Sequence, residues 1–584
     1  VAASASVDTL APAGAVGDWL LDPRNVTIAN GGTATLAQIA DASDTTSDLT
    51  IAPGVLNAAT SNISIVASET ITFTNAVAVA AAGVGLSAQA GTRITVNASV
   101  STNNGNITLR SDDFVIGANI NAGTATLMFD RMTSGVFGLG FDGFSDGSNG
   151  QPPVTALGAP ELGRLTAGRL VIGDPQAAAN RLLVVDLQNT FDVSGNFGLV
   201  QLNALTNQGA YIIAYGNQTF AAAEYNANDG ITFTDRNGLV PTSLVRTTVG
   251  DLVLNADADA TAGGGAFFND LRAQQGAITL SSARDIRITT HGYNDASSGI
   301  GTGTFTLTAA GTIGISRSQT GTLGVGDNAA GQIVLRSAQL GRMAAAALEL
   351  GGATATTVNV NGVNLGGIGT VRLTTSGSAT FTGTSAFNSL VVNSGPITVS
   401  GGASITASGA VSMTAASPVL LNGNVTAAGN LSFTAGETSD PGTFGDTLTV
   451  GAGVSVSSTG GTVTLRAGDS VIIGNGASVS AAGALEVTAG FGDLDGNGTI
   501  AMSSGTSVTG APVTLSAIGD IALGSVTSTG TATITSTGGA LSDANGNGVN
   551  ITAAAAALSA ANGIGIGSGG ALETALSNLE AVTS

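Results

Sequence analysis

Along the second half of the chain a short apolar/polar alternation keeps returning: VRLTTS from Val371, LVVNSG from Leu390, VSMTAA from Val411, LSFTAG from Leu431, VTLRAG from Val463, LEVTAG from Leu485, VTLSAI from Val513 and ATITST from Ala532. Side chains of an extended strand point to opposite faces in turn. Each segment therefore predicts a strand that buries Val, Leu, Ile, Ala or Phe on one side and presents Thr, Ser or Asn on the other. Successive starts lie 19, 21, 20, 32, 22, 28 and 19 residues apart, a basic period of about 20. A second short strand is expected about ten residues after each anchor, as in SITASG after LVVNSG and SVIIGN after VTLRAG, with Gly, Asn and Ser-Gly turns between.

A unit of about 20 residues with two or three short strands cannot bury its inner face alone, but stacking on its neighbours does so. The expectation is an all-β fold, a parallel β-solenoid with corner-loop insertions. The first half follows the same rule less regularly, with ISIVAS at 63, VGLSAQ at 84, ITLRSD at 107, LVLNAD at 252, AITLSS at 277, FTLTAA at 305 and IVLRSA at 333. Between about 129 and 250 the period is obscured by FDGFSDGSNGQPP and by a stretch containing Phe and Tyr. The expected organisation is solenoid coils over 1–128, an insertion-decorated section over 129–250, coils over 251–568 and a cap or junction over 569–584, where Leu572, Leu576 and Leu579 have helical spacing. Stacking about 22 to 26 coils at roughly 4.8 Å predicts a rod on the order of 105 to 125 Å long.

Composition narrows the function. Charged residues are 9% and aromatics 4%, while 43% of residues are apolar and mean hydropathy is +0.35, so the chain is expected to fold on many small layers rather than remain disordered. All 17 basic residues are Arg, and after Arg372 only Arg466 follows. A net charge of −21 argues against nucleic acid, whose phosphates need clustered cations, and against an anionic membrane surface. Cys is absent, which excludes a disulfide framework. The longest apolar run, NAVAVAAAGVGL at 75–86, is too short to span a bilayer. The chain starts at Val1 without a signal peptide, as expected of a processed or excerpted chain.

The long steps of the repeat hold the only motifs with chemistry. GETSDPGTFGD fills the 32-residue step, GFGDLDGNG the 28-residue step, and GGALSDANGNG follows Ala532; all three read as insertions at one corner of the coil. Asp493, Asp495 and Asn497, and separately Asp543, Asn545 and Asn547, alternate as calcium-loop ligands do ahead of Gly498 and Gly548, but Ser504 and Ala554 stand where a bidentate Glu is required. Weakly held calcium and plain turn formation both fit, since Asp, Asn and Gly also satisfy turns. His291 is the one histidine, and HGYND reads as a loop. The nearest approach to a carboxylate-and-arginine cluster is SSARDIRITTHGYND, with Arg284, Asp285 and Arg287. That is too little for the converging acids of a polysaccharide lyase or hydrolase. Trp19, in GDWLLDP, is expected to cover the first coils or a neighbouring subunit.

GDWLLDPRNVTIANGG (17–32), APELGRLTAGRLVIGD (159–174) and LSAANGIGIGSGGALETALSNLEA (558–581) resemble segments of the large filamentous haemagglutinin-like exoproteins that Gram-negative bacteria secrete by the two-partner route. The resemblance implies a right-handed β-helix, export to the cell surface through an outer-membrane partner, and adhesive or matrix roles. The Asn-rich secretion domain of that family is not evident, so the expected part is a shaft. An adhesive or structural extracellular rod, not an enzyme, is the leading expectation, self-associating into filaments or lateral assemblies and contacting host or neighbouring-cell glycans. A β-helical polysaccharide-active enzyme or a glycan-binding module is the alternative.

Overall fold

The computed structural model describes residues 23–39, 46–141, 154–175, 182–205, 210–214, 216–228, 230–233, 242–256, 270–273, 277–294, 304–437, 445–492, 494, 496, 498–566 and 570–583. The chain divides into two compact units, Val1–Thr290 with Asn294–Thr306, and His291–Tyr293 with Leu307–Ser584.

In the second unit the period-2 anchors stack as expected. Val371 pairs with Leu390, then Val411, Leu431, Val463, Leu485, Val513, Ala532 and Ala556 follow in parallel register. Each of them is buried. A representative coil runs from the anchor Val411–Ala415 through 416–418 to a second strand Val419–Leu421, through 422–423 to a third strand Asn424–Ala427, and through 428–430 to the next anchor Leu431–Ala435. The fold is thus a parallel β-solenoid with coils of about 20 residues. The two follow-on segments read from the sequence are different strands of the coil: SITASG supplies the third strand Ser404–Ala407, and SVIIGN the second, Val471–Ile473. Second strands form a sheet of eleven parallel members among the described residues, ending at Leu541–Asp543.

The corners explain the glycine content. Ser455, Ser478 and Ser507 share a register, and two residues before each lie Gly453, Gly476 and Gly505, with φ of +69°, +67° and +70°. A side chain in that left-handed region is strained, so the second corner keeps glycine coil after coil.

The first unit carries its own anchor stack: Ile63–Ala67, Leu86–Ala90, Ile107–Arg110, Thr126–Asp130, Leu165–Ile172, Phe197–Ala204, Ala223–Ala227 and Leu252–Asn255 follow one another in parallel register. AITLSS does not continue it. Ala277–Ser282 pairs with Thr242–Thr247 in another sheet. In the second unit, Ile333–Leu335 of IVLRSA likewise pairs with Gly321–Val325 in the sheet of second strands. Every strand of a coil alternates in the same way, so spacing alone does not tell one face from the next.

The Phe and Tyr that blur the pattern between 129 and 250 fill the interior. Phe191 and Phe220 meet edge to face at 5.8 Å, Phe220 and Tyr225 at 6.2 Å, Tyr225 stacks on Phe233 at 6.4 Å, and Phe233 meets Phe305 at 5.8 Å. Tyr225 is fully buried and its hydroxyl has no hydrogen-bond partner among the described residues; burial alone pushes its pKa upward. An unmade buried hydroxyl bond is destabilising, so Tyr225→Phe is expected to stabilise the protein by about 1 kcal/mol. Chemical denaturation with unchanged m-value checks this, and a loss of stability would mean that the hydroxyl is satisfied by water.

Arg131 is the largest fully buried side chain of the described residues. Its Nε donates to Thr133 O at 3.1 Å, its Nη1 to Asp112 O at 3.4 Å and to Thr155 Oγ1, and its Nη2 lies 3.5 Å from Asp112 Oδ1. Burial lowers its pKa, against the charges of Asp112, Asp113 and Asp130, which raise it. The Asp112 carboxylate also accepts from the backbone N–H of Met132 and Thr133 at 3.0 and 2.9 Å and from Thr133 Oγ1 at 2.8 Å, so one ion pair closes the turn after the strand Thr126–Asp130.

Candidate functional surface: one charged edge, two uncharged faces

From residue 373 to 536 the charged residues are Glu437, Asp440, Asp446, Arg466, Asp469, Glu486, Asp493, Asp495 and Asp520. Of those the structure describes, Arg466 and Glu486 sit on anchor strands, and Glu437, Asp446, Asp469 and Asp520 at the first corner, which follows the anchor. The second strands, third strands and the two remaining corners of these coils carry no charge. Among the described residues of 373–536, charge is confined to the anchor strands and the first corner after them, and the other two faces are neutral.

Two of the three long insertions lie at that charged corner. Ordinary coils cross it in three residues, 416–418, 468–470 and 518–520, whereas residues 436–447 and 490–499 cross it in the lengthened coils. Between the two, Asp446 and Asp469 stack in adjacent coils: Asp469 N donates to Asp446 O at 2.9 Å, and Asp446 N to Asp469 Oδ2 at 3.0 Å. Both are buried, at 5% and 1% exposure. A Cβ on Gly468 would lie 2.7 Å from Glu437 Cα, a backbone atom that cannot give way, so glycine is required where that coil passes. Among the described residues no group of three or more His, Cys, Asp or Glu side chains is arranged to hold a metal ion.

Asp493, Asp495 and Asn497 lie outside the described residues. Beside them Phe491 and Leu494 are exposed, and the Arg466 guanidinium sits 4.9 Å from the centroid of the Phe491 ring while pairing with Glu486 at 3.0 Å.

The third insertion is placed differently from the sequence reading. Leu541 is buried and pairs with Ile521 in the sheet of second strands, so the chain has re-entered the wall before SDANGNG begins. Residues 544–550 therefore form the second corner, not the first. The apolar Leu541 settles this, because it supplies the second strand that the corner must follow.

The structure brings Asp543 and Asn545 together and leaves Asn547 exposed. Asp543 Oδ1 accepts from Asn545 N at 2.8 Å and from Asn550 Nδ2 at 2.9 Å; Asn550 Nδ2 also reaches Asn545 Oδ1 at 3.1 Å. Asp543 Oδ2 is enclosed and has no hydrogen-bond partner among the described residues. Burial pushes the Asp543 pKa up, but hydrogen bonds from Asn550 and from the N–H of Asn545 and Gly546 outweigh it and hold the carboxyl below its ordinary range. A depressed carboxylate stabilises the fold fully above its unfolded pKa, and that contribution is lost as pH falls through the folded value. Amide-exchange protection of Asn545 is thus expected to drop on acidification below about pH 4; equal protection at pH 3 and pH 7, after correction for intrinsic rates, would contradict it.

Arg287, on the strand Ile286–Thr290, pairs with Asp285 at 2.8 Å, and Arg284, in the turn before that strand, lies 3.7 Å from Asp251, which also accepts from Asp285 N at 3.3 Å. His291 is half-buried, and Trp19 lies outside the described residues. Arginines recur as coil-to-coil ties: Arg24 to Asp48, Arg110 to Asp130 and Asp174, and Arg372 to Glu349. The helical spacing near the end does not produce a helix: Thr574–Thr583 is a strand paired along Ile551–Ala560, because the backbone groups of that coil offer a parallel edge to pair with. Asn550 and Arg131, both fully buried and hydrogen-bonded across coils, carry no motif that a sequence search would select.

No helix is long and apolar enough to cross a membrane among the described residues. Comparison with protein-family models, curated proteins and solved structures finds no match to the chain.

Proposed function

We propose that the chain is the shaft of an extracellular or surface-exposed bacterial rod, of the filamentous haemagglutinin-like kind, that serves adhesion, matrix building or filament assembly. The observation that carries this reading is how charge is used. Arginines tie one coil to the next, and the longest charge-sparse stretch confines its carboxylates to one edge. A chain built to hold its own stack together leaves little to bind or turn over an acidic glycan. Function is not implied by a β-helix as such, so the reading rests on these residues. Calcium belongs to the same proposal: Asp543 Oδ2, enclosed and without a donor among the described residues, is the oxygen that a weakly held cation would engage, and equal melting temperatures in calcium and in chelator would leave the loop as a turn.

The test is to delete the protein from the producing cell and measure attachment and cell–cell aggregation, alongside turnover of a panel of neutral and acidic polysaccharides by the purified chain. Lost attachment with no turnover is the expected result. Turnover, or attachment unchanged by deletion, overturns the proposal.

A further inference from the structure

Strands buried on one side alternate apolar and polar residues, while strands covered on both sides read as continuous apolar runs. The anchors and third strands of the second unit alternate. Several second strands do not: Val419–Leu421 is VLL, Val471–Ile473 is VII, Ile500–Met502 is IAM and Ile521–Leu523 is IAL. Their outer residues align coil after coil, Leu420 with Thr449, Thr449 with Ile472, Ile472 with Ala501 and Ala501 with Ala522. The flanking inner residues are at most 2% exposed, but Ile472 is 36% exposed. Leu420, Thr449, Ala501 and Ala522 are half-buried, so among the described residues these strands have the composition of a sheet covered on both faces and an outer face that the chain covers only in part.

The charge distribution selects the occupant. The chain carries −21 overall, so two copies repel wherever their charged edges approach. The row from Leu420 to Ala522 and the third strands beside it are uncharged, which lets two copies meet there without placing like charges in contact. A charged partner gains nothing from this surface. We infer that a second copy of this chain packs laterally on the row Leu420, Thr449, Ile472, Ala501 and Ala522, like face to like face. Small side chains on regularly stacked strands let two such sheets interdigitate closely, and a self-complementary patch closes as a twofold pair. Five rows at about 4.8 Å, each about 10 Å wide, give a strip of a few hundred Å², well below the roughly 800 Å² per partner of a stable complex. The pairing is therefore weak and grows with concentration. It extends the structural reading above, which would survive its failure.

The test is sedimentation of the full chain over a hundredfold concentration range in chelator, so that cations bridging the acidic edge contribute nothing. The weight-average mass is expected to rise with concentration for the wild type and for Thr514→Asp, whose added charge lies on the outer face of an anchor strand, and to stay monomeric for Leu420→Asp combined with Ile472→Asp. Circular dichroism melting verifies that the variants fold, as outward positions should. A wild type that is monomeric throughout, as expected if an uncharged glycan or a different protein is the natural cover, overturns the inference. So does association of the double variant at wild-type strength, or loss of association in Thr514→Asp.

Discussion

Arg131→Met is expected to destabilise the first unit by about 3 kcal/mol or more, because it removes the cation from a closed site and leaves the anions behind. The guanidinium is fully enclosed and serves Thr133 O, Asp112 O and Thr155 Oγ1. Methionine fills much of the same volume, so lost packing is a small part of the cost. The larger part is the Asp112 carboxylate, which keeps its turn bonds to Met132 and Thr133 but loses its compensating charge, together with the carbonyl oxygens left without donors. Combining Arg131→Met with Asp112→Asn should restore part of the stability, since the amide still accepts from the turn and carries no charge. Denaturant unfolding of the two single variants and the double variant forms a cycle that isolates the coupling. Additive effects would show that the ion pair contributes nothing beyond the volume of its side chains.

The stacked architecture was legible because the repeat is carried by inward residues that recur whatever the outer face does. Val411, Leu431 and Val463 are spaced by 20 and 32 residues, yet they occupy one register. Insertions change the spacing without touching the strand. What spacing does not encode is the identity of the face. AITLSS and IVLRSA alternate as the anchors do, and SDANGNG reads as a first-corner insertion because the short strand Leu541–Asp543, which takes in its first two residues, resembles a continuation of the loop. The heptad-like leucines at 572, 576 and 579 misled for a related reason: a helix was weighed on side-chain period alone, while the free edge of Ile551–Ala560 decides the conformation through its backbone groups. Buried polar hubs were not legible at all. Arg131 and Asn550 are single residues whose partners lie as far as 24 and 27 positions away, and only the coil geometry brings those distant partners to them.

Asn550→Ala is expected to destabilise the C-terminal coils by about 3 kcal/mol, because one fully buried amide holds three segments of chain together. Its Nδ2 faces Leu523 O at 2.9 Å, Gly524 O at 3.3 Å, Asp543 Oδ1 at 2.9 Å and Asn545 Oδ1 at 3.1 Å. Its Oδ1 accepts from Glu573 N at 2.9 Å, and its backbone N–H donates to Glu573 O at 2.8 Å. Alanine keeps the backbone bond and forfeits the rest, leaving Leu523 O, Gly524 O and the Asp543 carboxylate each one donor short and Glu573 N without its acceptor. Asn550→Asp separates this from a packing effect: it is isosteric, yet it sets a carboxylate against four acceptors. Such a group has a raised folded pKa, so the penalty of Asn550→Asp is absent below its unfolded pKa of about 4, grows as pH rises from there and is complete above the raised folded value. Thermal unfolding of both variants at pH 7 and pH 3.5 reads the difference. Both should lose less relative to wild type at the lower pH, Asn550→Asp by the larger margin, because of the bonds that Asn550→Ala gives up only the one to Asp543 weakens as that carboxyl is protonated. If instead both variants melt with the wild type, the second corner is held by its glycines and backbone turns alone, and the hydrogen bonds of Asn550 contribute nothing to the coil.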